Sequence, residues 1–312
     1  MVPVVVIVGP TATGKTHVAL EIAGACRGEI INSDALQVYR GFDIGTAKPS
    51  SLERAGIRHH LVDILDPQEP YSAGQFARLA RQAIEDIRSR DHLPIIVGGS
   101  GLYLRALLQG ISPLPEIDPA VRRQLREDLE RQGLERLYKE LQKVDHLTAI
   151  NLHSTDSQRV LRALEVLRST GKPLSSWIRE KPFGAHEMVS CQIGLTLPRS
   201  ILYDRIAARV GAMKEQGWLT EVEQILASGV RLSDPAFQAL GYRQLGSHLR
   251  GEISLDEALG ETIQATRRFA KRQMTWFRKE QDITWFDALE LRASVDEIMA
   301  FLLRQGYRSG NV

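Results

Sequence analysis

The stretch Gly9-Pro10-Thr11-Ala12-Thr13-Gly14-Lys15-Thr16 constrains this chain more than any other. It matches the pattern G-x-x-x-x-G-K-[ST]. A β-branched run, Val4 to Val8, precedes it, and a helix-like stretch to about Ala25 follows. An unbroken apolar run of that length reads as a strand buried on both faces. The chemistry of such a loop requires this strand–loop–helix order. Backbone N–H groups and the helix N-terminus surround phosphate oxygens. Lys15 adds a mobile positive charge, and the Thr16 hydroxyl can join a Mg²⁺ shell. The loop predicts phosphate binding without specifying ATP.

The same alternation continues downstream. Short apolar runs at 29–32, 59–65 and 94–97 read as strands, and 75–90 and 102–108 read as helices. Phe76, Leu79, Ala80, Ala83, Ile84 and Ile87 fall on one side of the first of these helices. Strands alternating with helices mean crossover connections and a mostly parallel sheet, so the fold class is α/β. The pattern changes at Ser112-Pro113-Leu114-Pro115. No strand candidate follows until Val189 to Leu197. Residues 120–144 have helical spacing, and Asp156 reads as the N-cap of a helix that ends before Gly171 and Pro173. Residues 113–188 are therefore expected to form an all-helical insertion within an α/β core made of 1–112 and 189–312. From about Arg199 onward the chain reads as helix-rich.

Composition excludes several classes. The 312 residues are 43% hydrophobic and 25% charged, which are ordinary globular values. Forty basic against thirty-eight acidic residues leave a net charge of +2, so any affinity for nucleic acid must come from a local patch. Cys26 and Cys191 cannot build a disulfide framework or a four-cysteine zinc site. No apolar run approaches a membrane span. The histidines lack metal-ligand spacing, and His59 and His60 would point to opposite faces of a strand. A cytoplasmic monomer is expected.

Other residues suggest chemistry beyond phosphate binding. The strand 94–97 ends in Gly98-Gly99-Ser100-Gly101, where hydrolases of this loop type usually carry a magnesium-binding Asp. Asp63 could stand in for it. A motor-type ATPase is therefore disfavoured, while a small-molecule ATP-dependent kinase stays open. Asn32-Ser33-Asp34-Ala35-Leu36-Gln37 follows the second strand, where ligands of open α/β sheets bind. Asp34 is a general base for an acceptor nucleophile, or else a helix cap. Ser100 either shares that crevice or caps the next helix. Arg205 and Arg209, one helical turn apart, either clamp a pyrophosphate or pair with acids. Between Arg267 and Lys279 lie six basic residues, no acidic one, and Trp276 and Phe277. This segment is an RNA-binding face, or a solvated face whose aromatics are in the core. A non-catalytic RNA-binding NTPase also fits these features. Residues 43–49 gain no role from physical reasoning alone.

Taken in order, these motifs resemble the tRNA dimethylallyltransferase (isopentenyl-tRNA transferase) family. The likeness rests on residues 9–16, 32–39, Asp-Ile-Gly-Thr-Ala-Lys-Pro at 43–49, Val-Gly-Gly-Ser-Gly-Leu-Tyr at 97–103, Ser-Gln-Arg-Val-Leu-Arg-Ala-Leu-Glu at 157–165, Gly-Tyr-Arg-Gln at 241–244 and Ala-Lys-Arg-Gln-Met-Thr-Trp-Phe-Arg at 270–278. The resemblance implies a P-loop kinase-like core whose loop 9–16 holds dimethylallyl diphosphate rather than ATP, with Mg²⁺ at Thr16. It implies transfer of the dimethylallyl group to N6 of adenosine 37 beside the anticodon, in tRNAs reading codons that begin with U. Asp34 would be the base, Ser100 would hydrogen-bond the adenine where the family more often has Thr, and Arg209 would hold the diphosphate. The helical insertion would grip the anticodon stem-loop. Contacts to tRNA would come from Asp34, Ala35, Leu36, Gln37, Ser100 and Arg122, and from Gln158, Arg159, Val160, Leu161 and Arg162. Further contacts would come from Gln238, Ala239, Leu240, Gly241, Tyr242 and Arg243, and from Lys271, Arg272, Gln273, Met274, Thr275, Trp276, Phe277 and Arg278. The C-terminal zinc finger of eukaryotic relatives has no counterpart here, so a bacterial-type enzyme is expected.

Overall fold

A computed structural model describes residues 3–54, 56–112, 114, 117–180 and 188–307. In chain order the elements begin with β1 (Val4–Val8), α1 (Lys15–Ala25), β2 (Gly28–Asn32), β3 (His59–His60), α2 (Ala73–Arg88), β4 (Leu93–Val97) and α3 (Gly101–Leu108). There follow α4 (Pro119–Gln132), α5 (Leu134–Val144), α6 (His146–Ala149), α7 (Ser157–Thr170) and α8 (Leu174–Glu180). The chain then forms β5 (Ser190–Thr196), α9 (Arg199–Glu215), α10 (Trp218–Ala227), a 3₁₀ turn at Pro235–Gln238, α11 (Tyr242–Leu249), α12 (Leu255–Phe277), β6 (Ile283–Asp287) and α13 (Leu291–Arg304).

The chain divides into two compact units, Met1–Leu108 with Met188–Val312, and Gln109–Glu187. Pro113 and Pro115, where the composition changes, lie outside the described residues. The first unit is built on a six-stranded sheet ordered β3-β2-β4-β1-β5-β6. Every pairing in it is parallel. β1 is central, between β4 and β5, and all five of its residues are buried. That accounts for its unbroken apolar sequence. Parallel strands place their C-terminal ends on one edge of the sheet, so the turns after β1, β2 and β4 are neighbours. Ser33 N–H donates to the Val97 carbonyl at 2.8 Å and Gly98 N–H to the Ile7 carbonyl at 3.2 Å, drawing those three turns together.

Two expectations change. The run 59–65 forms a strand only at His59–His60, because Leu61 (φ +61°) and Asp63 (φ +56°) adopt left-handed backbone that breaks the extended path. The region after Arg199 contains a strand as well as helices: β6 pairs with β5 in register from Gln192↔Ile283 to Thr196↔Asp287.

Among its described residues the second unit contains helices, α4 to α8, and no strand. The helical spacing over 120–144 is divided at Gly133, whose φ of +78° ends α4 and starts α5. Asp118 and Asp156 cap α4 and α7 by accepting from Ala120 N–H and Arg159 N–H. Leu125, Leu137, Leu141, Val160 and Leu164 meet in its core. Buried Asp128 accepts from Arg131 and from Arg168, at 2.6 and 2.7 Å, joining α4 to α7. Among the described residues no helix is long and apolar enough to cross a membrane.

Candidate active site

The phosphate loop is held from several directions. Gly9 has φ +143°, and a Cβ there would come within 2.6 Å of the Leu195 carbonyl oxygen, so only glycine lets β5 approach. Buried Thr13 donates its hydroxyl to the Pro10 carbonyl at 2.9 Å. Lys15 Nζ donates to the same carbonyl at 2.7 Å, which folds the lysine back over the loop. Gly14, at the N-cap of α1, provides no side-chain cap. The first-turn N–H groups are therefore left for a ligand, beside the positive end of the helix dipole.

Thr11, Ala12, Gly14, Lys15, Thr16 and His17 line a cavity of about 510 Å³. Asn32, Asp34 and Gln37 from the β2 turn line it too, as do Gly98 and Gly99 after β4, Arg209 from α9, and Phe269 and Gln273 from α12. Asp34 is placed by its own turn. Its N–H donates to Asn32 Oδ1 at 3.0 Å, and its Oδ1 accepts from Leu36 N–H at 2.9 Å. Buried Asn32 is fixed by donating to the Leu61 carbonyl at 3.1 Å. The Asp34 carboxylate therefore stays at the cavity wall with one oxygen tied into the turn and the other unconstrained by it.

The electrostatics set one acid against two bases. Lys15 is lowered to about 7, chiefly by desolvation and also by the Arg209 guanidinium, with Asp34 opposing both. Burial also lowers Arg209, against the pull of Asp34. Two cations crowded into one recess is an unfavourable arrangement that a polyanion relieves. Arg205 is occupied elsewhere, donating to the Ala288 and Leu289 carbonyls at 3.3 and 3.1 Å. Of the two arginines, Arg209 is the one at the cavity.

Segment 43–49 acquires a structural explanation. Thr46, Ala47 and Pro49 form a wall of the cavity. Gln37 Nε2 donates to the Thr46 and Ala47 carbonyls at 3.1 and 3.2 Å. Buried Lys48 binds Asp43 at 2.6 Å, Asp63 at 2.5 Å and the Tyr39 carbonyl at 2.7 Å. Ile44 N–H donates to Glu221 at 2.7 Å and Gly45 N–H to Tyr242 Oη at 3.1 Å. A Cβ on Gly45 would run into the Trp218 indole. Asp63 is thus committed to Lys48 and, at 3.5 Å, to Arg54, and it does not line the cavity. Among the described residues no group of three or more His, Cys, Asp or Glu could hold a metal ion.

The remaining residues expected to touch tRNA divide by exposure. Gln158, Arg159, Gln238, Arg243, Lys271, Arg272, Thr275, Arg278 and Arg122 are exposed. Arg159 pairs with Asp156 at 2.7 Å and Arg162 with Glu165 at 3.2 Å. Ala35, Leu36, Leu161, Leu240, Met274 and Trp276 are half-buried. Val160, Ala239, Gly241, Tyr242, Gln273 and Phe277 are buried, so they sit beneath the neighbouring exposed residues rather than at the surface. Ser100 is half-buried just before α3. Its carbonyl accepts from Tyr103 and Leu104 N–H, and it does not line the 510 Å³ cavity. A second cavity, of about 480 Å³, is bordered by Arg105, Arg268, Lys271, Arg272, Thr275, Trp276 and Lys279. Arg105 stacks 4.6 Å over the Trp276 ring. Composition gave no indication that Arg105, from α3, would complete this basic surface.

Residues 37–280 match the family model described as IPP transferase. The chain belongs to the IPP transferase family. It is 48% identical to a tRNA dimethylallyltransferase of Syntrophobacter fumaroxidans, over 95% of this chain and 87% of that protein. It is 43% identical to that of Geobacter metallireducens, over 96% of each. Among solved structures, it resembles the full-length tRNA isopentenylpyrophosphate transferase of Bacillus halodurans, with a TM-score of 0.71, 37% identity and coverage of 97% of this chain and 96% of that one. It also resembles a eukaryotic dimethylallyltransferase described as acting on tRNA, with a TM-score of 0.83, 28% identity and coverage of 100% and 81%. Membership of the IPP transferase family does not favour a small-molecule kinase.

Proposed function

We propose that this chain transfers a dimethylallyl group from dimethylallyl diphosphate to N6 of adenosine 37 in tRNA, releasing diphosphate. The observation that carries the reading is the shared cavity of Lys15, Arg209 and Asp34 in a member of the IPP transferase family. As the allylic C–O bond breaks, negative charge grows on the departing diphosphate. The loop N–H groups, Lys15 and Arg209 already stand where that charge develops, so they stabilise the transition state without rearranging. The adenine N6 attacks the allylic carbon and must lose a proton. Asp34, which lines the same cavity, is the base that receives it. The target base has to leave the anticodon-loop stack to reach Asp34. Ser100, beside this crevice, is assigned a hydrogen bond to the adenine.

The site fits a hard divalent cation only in part. Thr16 is an exposed hydroxyl at the cavity, and among the described residues no cluster of three or more acidic or His/Cys groups surrounds it. Such a cation, Mg²⁺ in our reading, would be held by Thr16 and the donor's own oxygens, and would neutralise diphosphate charge. Gln158, Arg159 and Arg162 on the helical unit, Lys271 and Arg272 on α12, and Arg278 at its C-cap are the cationic and polar groups assigned to the anticodon stem-loop. The cytoplasm is the expected compartment.

Asp34→Asn tests the chemistry. The amide oxygen can still accept from Leu36 N–H, so the turn persists while the base is lost. Transfer should fall about 10²–10⁴-fold, with stem-loop affinity little changed. A variant that transfers at the wild-type rate would exclude Asp34 as the base.

A further inference from the structure

Gln273 lies on the buried face of α12, 7% exposed, among neighbours that face outward. Both ends of its amide are engaged. Oε1 accepts from Thr11 N–H at 2.9 Å, and Nε2 donates to the Gly99 carbonyl at 3.0 Å. One side chain from α12 thus connects the phosphate loop after β1 to the glycine turn after β4. The fit is close, because a Cβ on Gly99 would collide with Gln273 Nε2. Three residues further along α12, Trp276 is similarly keyed against Gly101, where a Cβ would strike the indole. Lys271, Arg272 and Thr275, on the same turns of α12, are exposed and line the basic 480 Å³ cavity. The helix therefore presents cations outward and a two-sided amide inward, at the loop that holds phosphate.

We propose that Gln273 is a positioning residue that couples RNA seated on α12 to diphosphate bound in loop 9–16. The coupling rests on the reading of α12 as an RNA-facing helix. With the Thr11 amide occupied by Gln273, the loop N–H groups from Ala12 to Thr16 are the ones left for diphosphate, and their direction depends on where α12 sits. RNA that fixes α12 fixes the loop, so each ligand tightens the other by the same factor.

The experiment titrates inorganic diphosphate, and separately dimethylallyl diphosphate, into the full chain with and without a saturating anticodon stem-loop. Wild type is compared with Gln273→Met, which keeps the length of the side chain but can neither accept from Thr11 nor donate to Gly99. The wild-type stem-loop should tighten diphosphate binding about fivefold or more. In Gln273→Met that factor should fall close to one, with stem-loop affinity within about twofold of wild type. Gly99→Ala, which displaces the amide from the other side, should reproduce the loss and serves if Gln273→Met fails to fold. A coupling factor unchanged in a folded variant, or absent from wild type, overturns the proposal. Wild-type coupling without prenyl transfer would count against the enzymatic reading alone. Transfer accompanied by unchanged coupling in the variants would count against Gln273 alone.

Discussion

Glu29, at the start of β2, offers a stability test whose magnitude follows from its contacts. Only 3% of the residue is exposed, yet its carboxylate is ionised within a fan of donors. Arg90 donates to both oxygens at 2.9 Å, His60 Nε2 lies 2.7 Å from one, and His92 Nδ1 lies 2.8 Å from the other. Burial by itself would raise the carboxyl. The hydrogen bonds from Arg90, His60 and His92 outweigh it and hold the group at about 2, against an ordinary 4.5. Either ring can donate as a neutral tautomer, so the arrangement does not need charged histidines. A depression of that size corresponds to about 3 kcal/mol of folding stability at neutral pH. The sign follows from linkage: the stabilisation is complete above pH 4.5 and is lost as pH falls through 4.5 towards 2. Glu29→Gln should therefore lower unfolding stability in urea by about 3 kcal/mol at pH 7, with the gap closing steadily on acidification. Glu29 sits at the end of β2 opposite Asn32 and Asp34, so diphosphate affinity of the folded variant should match wild type. A gap under about 1 kcal/mol at pH 7, or one that fails to narrow between pH 4.5 and 3, would show that the Glu29 carboxylate does not stabilise the fold in this way.

Further outcomes follow from the same contacts. Replacing Lys271 and Arg272 together with alanine should weaken stem-loop binding and flatten the dependence of log Kd on log salt by about 1.4, some 0.7 per lost phosphate contact. Titration across a salt series measures this, and an unchanged slope would return both residues to a solvated face. Lys48→Met removes a buried ammonium from Asp43 and Asp63, carboxylates that are themselves partly exposed. Thermal unfolding should show a loss of about 2 kcal/mol, and the donor KM should rise because Ala47 and Pro49 flank the cavity beside it.

How much could be read in advance depended on whether the physics was local. The phosphate loop, β1, β2, β4 and the Asp156 cap were legible because strand burial, loop glycines and capping leave their marks in consecutive residues. β6 was missed because a five-residue strand at the sheet edge, paired with β5, leaves a weak and irregular pattern. His59 to Leu65 looked like a full strand because apolar content does not reveal the left-handed backbone at Leu61 and Asp63. Gly45 conveyed nothing until Trp218, far away in sequence, was seen to occupy the space of its missing side chain. Arg205 and Arg209 were indistinguishable on spacing, and only the carbonyls at 288 and 289 separate them. Gln273 was legible only as part of a basic segment. Its partners, Thr11 and Gly99, are 262 and 174 residues away.

Prenyl transfer can be read in one assay that supplies the purified chain with Mg²⁺, labelled dimethylallyl diphosphate and an unmodified anticodon stem-loop carrying adenosine next to the anticodon. Label should enter the RNA and be lost when that single adenosine is replaced by guanosine. Active, folded protein that leaves the matched stem-loop unlabelled, or labels the guanosine version equally, would contradict the proposed transfer.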